Sequence, residues 1–153
     1  MVFYTGILTV CKNNNGMAAV MGNEVAHAVA RHGNERMSQQ LAIQGAGMSL
    51  STVLQEQPEL THDLALQAFG MGSQFGILGY SRKHESEADK MGLIFMAVAG
   101  YDPREAVKVW ERMAELGGEQ PPEFMSTHPS HETRIAELNA FMDEALEYYQ
   151  PSN

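Results

Sequence analysis

The chain has 153 residues and a mass of 16.9 kDa, the size of one ordinary domain, and its 44% hydrophobic and 19% charged residues exclude a disordered composition. Ten basic and nineteen acidic residues give a net charge of −9, and without a run of Lys or Arg the chain lacks the basic patch of a nucleic-acid binder. A single cysteine, Cys11, excludes an internal disulfide framework and a multi-cysteine zinc site, and no run of 18 apolar residues announces a transmembrane helix.

Residues 1–6, β-branched and aromatic until Gly6, read as the tail of a strand. A lone strand leaves its backbone groups without partners, so the chain reads as a fragment whose upstream strands are missing. The stretch 2–10 has no basic region before it and no cleavage site after it, unlike a secretory signal. Lys12-Asn-Asn-Asn-Gly16 is turn and cap chemistry. A helix is predicted from Gly16, with Met17, Met21, Val25, Ala28 and Val29 as its apolar stripe, continuing past Gly33 into 37–41. Pro58 marks a break. A second helix is predicted over 60–79, where Gly70, Gly72 and Gly76 suggest close packing, and a third over 82–99, stopped by Gly100. The fourth starts at Asp102 as N-cap with Pro103 in the first turn and Glu105 completing a capping-box pair. Ala106, Val109, Trp110 and Met113 follow at helical spacing. After a loop with Pro121-Pro122, a last helix starts near Ser130, with Ile135, Leu138, Met142, Ala145 and Tyr149 as its stripe. The eleven methionines read mostly as core filler.

Three polar segments carry chemistry. Met21-Gly-Asn-Glu-Val-Ala-His27 is one residue away from H-E-x-x-H, in which two His at i and i+4 bind zinc on one helix face and the Glu serves as base. Here the second His is His27, the base would be Glu24, and the first ligand position holds Asn23. Alone this is weak, since a Glu and a His one turn apart occur on many helices. Glu85 and Asp89, 58 residues on, share a face and fit a carboxylate ligand and an acid that orients a ligand; beside Arg82 and Lys83 they also read as a solvated charged face. His128 lies in Ser126-Thr-His-Pro-Ser-His131, on a loop from which it could reach a cleft and donate to an oxyanion. His32, His62, His84 and His131 read as structural or surface residues, with His84, beside Glu85, a conceivable substitute ligand.

In this order the three segments resemble the CAAX-prenyl-protease-like (HtpX-like) zinc metallopeptidases, a gluzincin branch, over nearly the whole chain. The matching text is Gly22-Asn-Glu-Val-Ala-His-Ala-Val-Ala-Arg-His-Gly33, Glu85-Ser-Glu-Ala-Asp89 with Gly92, and Thr127-His-Pro-Ser130 with Arg134. The resemblance implies a mainly α, zincin-like catalytic domain with a short N-terminal strand remnant, one domain over 1–153, cut from an α+β domain. It implies His27 and Glu85 as ligands of one Zn²⁺, Glu24 as general base, Asp89 orienting the first ligand, His128 stabilising the oxyanion and Arg134 holding the acidic side of the site. It further implies a protein or peptide substrate, membrane association through the missing segments, and a bacterial periplasmic or envelope setting. Asn23 is a degenerate first ligand, because an amide oxygen is neutral and binds zinc more weakly than imidazole does. The expectation is a zinc metalloendopeptidase domain weakened or inactivated at Asn23, with zinc bound weakly or absent. The alternative is a non-catalytic pseudopeptidase that holds other proteins.

Overall fold

A computed structural model describes residues 5–117 and 121–151. The expected N-terminal strand falls largely on residues 1–4, outside the described residues. Thr5 and Gly6 form a turn into a short helix, α1 (Ile7–Cys11). Asn13 then takes an extended backbone and its side chain accepts the Gly16 N–H at 2.8 Å, which starts α2 (Asn14–Val29) as the cap chemistry predicts.

The predicted passage of this helix through Gly33 is not found. Arg31 adopts the left-handed conformation, φ 59°, and a separate helix, α3 (His32–Val53), begins after it. The break has a geometric result. Five residues apart on a straight helix, His27 and His32 would point about 140° apart. The turn at Arg31 instead brings their Nδ1 atoms to 2.9 Å.

Pro58 precedes α4 (Glu59–Val98), a single helix of 40 residues where two were predicted. Tyr80-Ser81-Arg82 contains no helix breaker, and the helix runs through it with Leu78 and Ser81 buried. Gly70, Gly72 and Gly76 do not mark close packing: a Cβ on any of them would meet open space. The close approach lies elsewhere. A Cβ on Gly22 would stand 2.7 Å from the Gly92 carbonyl oxygen, and one on Gly92 would stand 2.8 Å from the Asn23 nitrogen. The backbones of α2 and α4 therefore touch where they cross, and only glycine fits.

This crossing also corrects the stripe predicted for α2. The face against α4 must be small, so Gly22 and Ala26 are buried, Gly16 is buried against the Cys11 backbone at the end of α1, and Met21, Val25, Ala28 and Val29 are exposed. Gly22→Val should force the helices apart and lower stability by about 2–3 kcal/mol, at the upper end of an overpacking cost. Urea denaturation would read this as a lower midpoint; an unchanged midpoint would show that the crossing yields.

α5 (Arg104–Glu115) starts as predicted in substance: the Asp102 carboxylate accepts the Arg104 N–H at 3.0 Å. Glu105 does not close a capping box, because it pairs instead with Arg112 at 2.9 Å and Lys108 at 3.2 Å. A 3₁₀ turn (Glu123–Met125) leads to α6 (His131–Glu147), whose cap Ser130 accepts the Thr133 N–H at 3.1 Å. The core joins α4, α5 and α6 through Leu93, Met96, Ala106, Val107, Leu138, Met142 and Ala145; Ala106, Leu138, Met142 and Ala145 lie on the stripes predicted for the last two helices, and Val107 does not. Met96 and Met142 are core residues, but Met21, Met37, Met48, Met71 and Met125 are exposed, so the core-filler reading fails for them. The chain is mainly α, and among the described residues there is no strand and no helix long and apolar enough to cross a membrane.

Candidate active site

The Gly22–Gly92 contact determines what faces what. Asn23, Glu24 and His27 follow Gly22 on α2, and Glu85 and Asp89 precede Gly92 on α4 by two turns and one. The loop after the 3₁₀ turn adds His128 and the first turn of α6 adds Arg134. All seven line one cleft of about 470 Å³.

The carboxylates organise the site. Glu85 Oε1 lies 3.3 Å from both His27 Nε2 and His128 Nδ1, and its Oε2 lies 3.1 Å from Arg134 Nη1. Arg134 donates to both oxygens of Asp89, Nε to Oδ2 at 2.7 Å and Nη2 to Oδ1 at 2.5 Å. Its guanidinium also lies 3.6 Å over the Trp110 ring. Glu85, Asp89 and Arg134 are all buried, so the one cation serves two carboxylates away from water.

Burial alone would raise the Glu85 carboxyl, but hydrogen bonds from His128 and His27 and the charge of Arg134 hold it far below the ordinary carboxylate range. The hydrogen bond to Glu85 raises the His27 imidazole above its usual value. Burial pushes Asp89 up, against the hydrogen bonds and charge of Arg134.

Asn23 donates from Nδ2 to Asp89 Oδ1 at 2.8 Å. A carboxylate paired with arginine only accepts, so the amide must turn its NH₂ toward Asp89. Asn23 is thus held by the acid that the resemblance assigns to orienting the first ligand. What remains free to meet a cation is one neutral carbonyl oxygen.

His32, read from the sequence as structural or surface, belongs to this network. Its Nδ1 faces His27 Nδ1 at 2.9 Å and its Nε2 faces Glu87 at 3.3 Å. With His27 protonated the chain is consistent: His27 donates to Glu85 and to His32, and His32 donates to Glu87. No spacing rule would have found His32, because its place depends on the left-handed Arg31. His84 does not serve as a substitute ligand. It stacks on His32 at 4.2 Å and pairs with Glu35 at 3.1 Å, outside the cleft lining.

Residues 1–142 match the family model Peptidase family M48. The chain belongs to that family. It is similar to the mitochondrial metalloendopeptidase OMA1 of Arabidopsis thaliana, 39% identical over 98% of this chain and 30% of the relative. It is 35% identical to the mitochondrial metalloendopeptidase OMA1 of Saccharomyces cerevisiae, over 98% of this chain and 43% of the relative. The β-barrel assembly-enhancing protease of Escherichia coli is 25% identical over 90% of this chain and 29% of its own length. The chain therefore spans less than half the length of each. Within family M48 these relatives point to the OMA1 and β-barrel assembly-enhancing proteases rather than specifically to the CAAX-prenyl branch. No solved structure matches the chain.

Members of family M48 are zinc-dependent, and the donors of this cleft make up only part of a zinc site. Among the described residues no group of three or more His, Cys, Asp or Glu side chains is placed to hold a metal ion. His27 and Glu85 are present but bonded to each other, and the third donor is an amide tied to Asp89.

Proposed function

We propose that the chain is a zinc-metalloendopeptidase domain, one domain over 1–153, whose metal binding and peptide-bond hydrolysis are weakened by Asn23. The observation that carries this reading is the Asn23–Asp89 hydrogen bond in a cleft that otherwise keeps Glu24, His27, Glu85 and His128 together. In this reading Glu24 is the general base for the attacking water and His128, more than half exposed, turns to donate to the oxyanion. Arg134 and Asp89 keep Glu85 and position 23 in place. The substrate is a protein or peptide, and segments outside 1–153 would supply any membrane association. The setting is a bacterial periplasm or envelope or, as the names of the plant and yeast relatives equally allow, a mitochondrion.

A second reading, a non-catalytic pseudopeptidase that holds polypeptides, is favoured by the way Arg134, Asn23, His27 and His128 between them pair with both buried carboxylates. Zinc content per chain, measured by elemental mass spectrometry after purification without added metal, separates the two together with casein hydrolysis in excess zinc. The weakened peptidase should carry well under one zinc per chain and show slow hydrolysis that a chelator abolishes. Hydrolysis at background under excess zinc, with polypeptide binding unchanged by chelator, would replace the first reading by the second. A full zinc per chain with fast hydrolysis would overturn both.

A further inference from the structure

His32 and His84 are buried outside the cleft lining, 5% and 7% exposed, and no chemical step assigned above uses them. Their rings stack at 4.2 Å, 10° from parallel, where the start of α3 meets α4. Apolar rings would fill the same space without the cost of burying ring nitrogens. The nitrogens are instead tied in a defined way. His84 Nε2 pairs with Glu35 at 3.1 Å and His32 Nε2 with Glu87 at 3.3 Å, both partly exposed carboxylates. The inner end of the set is His32 Nδ1, which meets His27 Nδ1 at 2.9 Å with the two rings edge to face, 77° apart.

The direction of these bonds is set at their outer end. The Glu87 carboxylate only accepts, so the proton of a neutral His32 sits on Nε2. Its Nδ1 is then bare and accepts. The hydrogen between the two Nδ1 atoms therefore belongs to His27. The His27 nitrogen left to share a proton or a cation with Glu85 is Nε2, which lies in the cleft 3.3 Å from Oε1. Two features hold the acceptor in place. The stack on His84 fixes the plane of the His32 ring. Arg31, at φ 59°, holds a conformation that a non-glycine residue keeps only where the surrounding structure enforces it, and this turn carries His32 back toward His27.

We propose that His32 is a positioning residue for His27: by accepting the His27 Nδ1–H it fixes the ring and keeps Nε2 as the nitrogen presented to the cleft, with Glu87 and His84 holding His32 in turn. Its importance for a metal rests on the peptidase reading, which makes His27 a ligand; the bond between the two histidines does not.

His32→Phe and His32→Asn test this role. Phenylalanine keeps a ring on His84 and removes both nitrogens. Asparagine puts an amide oxygen where Nδ1 stood and so keeps the acceptor. In the metal-free chain with isotope-labelled histidine, at about pH 6, proton–nitrogen correlation spectra should show a downfield imidazole proton attached to His27 Nδ1. His32→Phe should abolish that proton and His32→Asn should retain it. Zinc affinity, measured by calorimetry in the Asn23→His background, should fall about 10–100-fold with His32→Phe and stay within about threefold with His32→Asn. A merely structural role would rank the two variants the other way, since phenylalanine packs better than asparagine against His84, and would leave zinc affinity unmoved. A bridging proton attached to His32, no downfield proton at all, or unchanged zinc affinity in folded His32→Phe would overturn the proposal. The parent spectrum needs no variant, so it decides the matter even where His32→Phe does not fold. If Asn23→His binds no zinc the peptidase reading falls, and the bridging proton still decides whether His32 positions His27.

Discussion

Asn23→His is expected to raise zinc affinity by at least about 100-fold and to bring a comparable rise in chelator-sensitive peptide hydrolysis. Removing only the partner of a metal ligand costs about 10–100-fold, and here a ligand itself is restored. The partner is already in place. Asp89 Oδ1 accepts a hydrogen bond from position 23 at 2.8 Å, and it would accept the N–H of an imidazole there in the same way. Such a bond sets the tautomer and leaves the other ring nitrogen with a lone pair for the ion.

The pH dependence of this gain has a definite sign. The bond to Glu85 raises His27 above its usual value, so a proton competes with the metal for Nε2. Zinc affinity should therefore climb with pH, about tenfold per unit while His27 is protonated, and level off once its raised value is passed. Calorimetric titration of both forms between pH 5.5 and 8.5 checks the gain and the slope together. A variant that binds zinc no better than the parent would mean that the His27–Glu85 bond does not open, and the weakened-peptidase reading would fall.

Much of this site was legible because its chemistry is periodic. Position 23 and His27 lie one turn apart, as do Glu85 and Asp89, and each pair shares a helix face whatever the rest of the fold does. The caps at Asn13, Asp102 and Ser130 were legible for the same local reason. The Gly22–Gly92 crossing was not, although both residues stand inside the matching motifs. Close approach is a property of two segments, and the exposed Gly70, Gly72 and Gly76 look the same in one sequence. The buried face of α2 was misread as a consequence, because apolar size is a poor guide where the partner helix admits only glycine and alanine. The break at Arg31 has no local signal, since arginine rarely takes a positive φ. His32 was lost with it. The division of α4 into helices over 60–79 and 82–99 was a misreading, since nothing in residues 80–82 breaks a helix.

Arg134→Met is expected to be the most destabilising single change, at about 3–5 kcal/mol, the cost of stranding buried charge. Arg134 is 3% exposed, and Glu85 and Asp89 are 7% and 6% exposed, so water cannot replace the guanidinium. Methionine keeps much of the volume over Trp110, which confines the loss to the ion pairs. At about 2–4 °C per kcal/mol for a chain of this size, thermal unfolding should fall by roughly 6–20 °C near neutral pH. The deficit should shrink on acidification. Without the guanidinium both carboxyls are raised by burial and by each other, and a protonated carboxyl needs no cation. In the parent, Glu85 is held far below its ordinary range, so its ionised form contributes stability above the unfolded value and loses it as pH falls. The two unfolding curves should therefore converge toward pH 4, from opposite causes. A deficit under about 1 kcal/mol at pH 7, or one that grows as pH falls, would show that the two acids do not depend on Arg134.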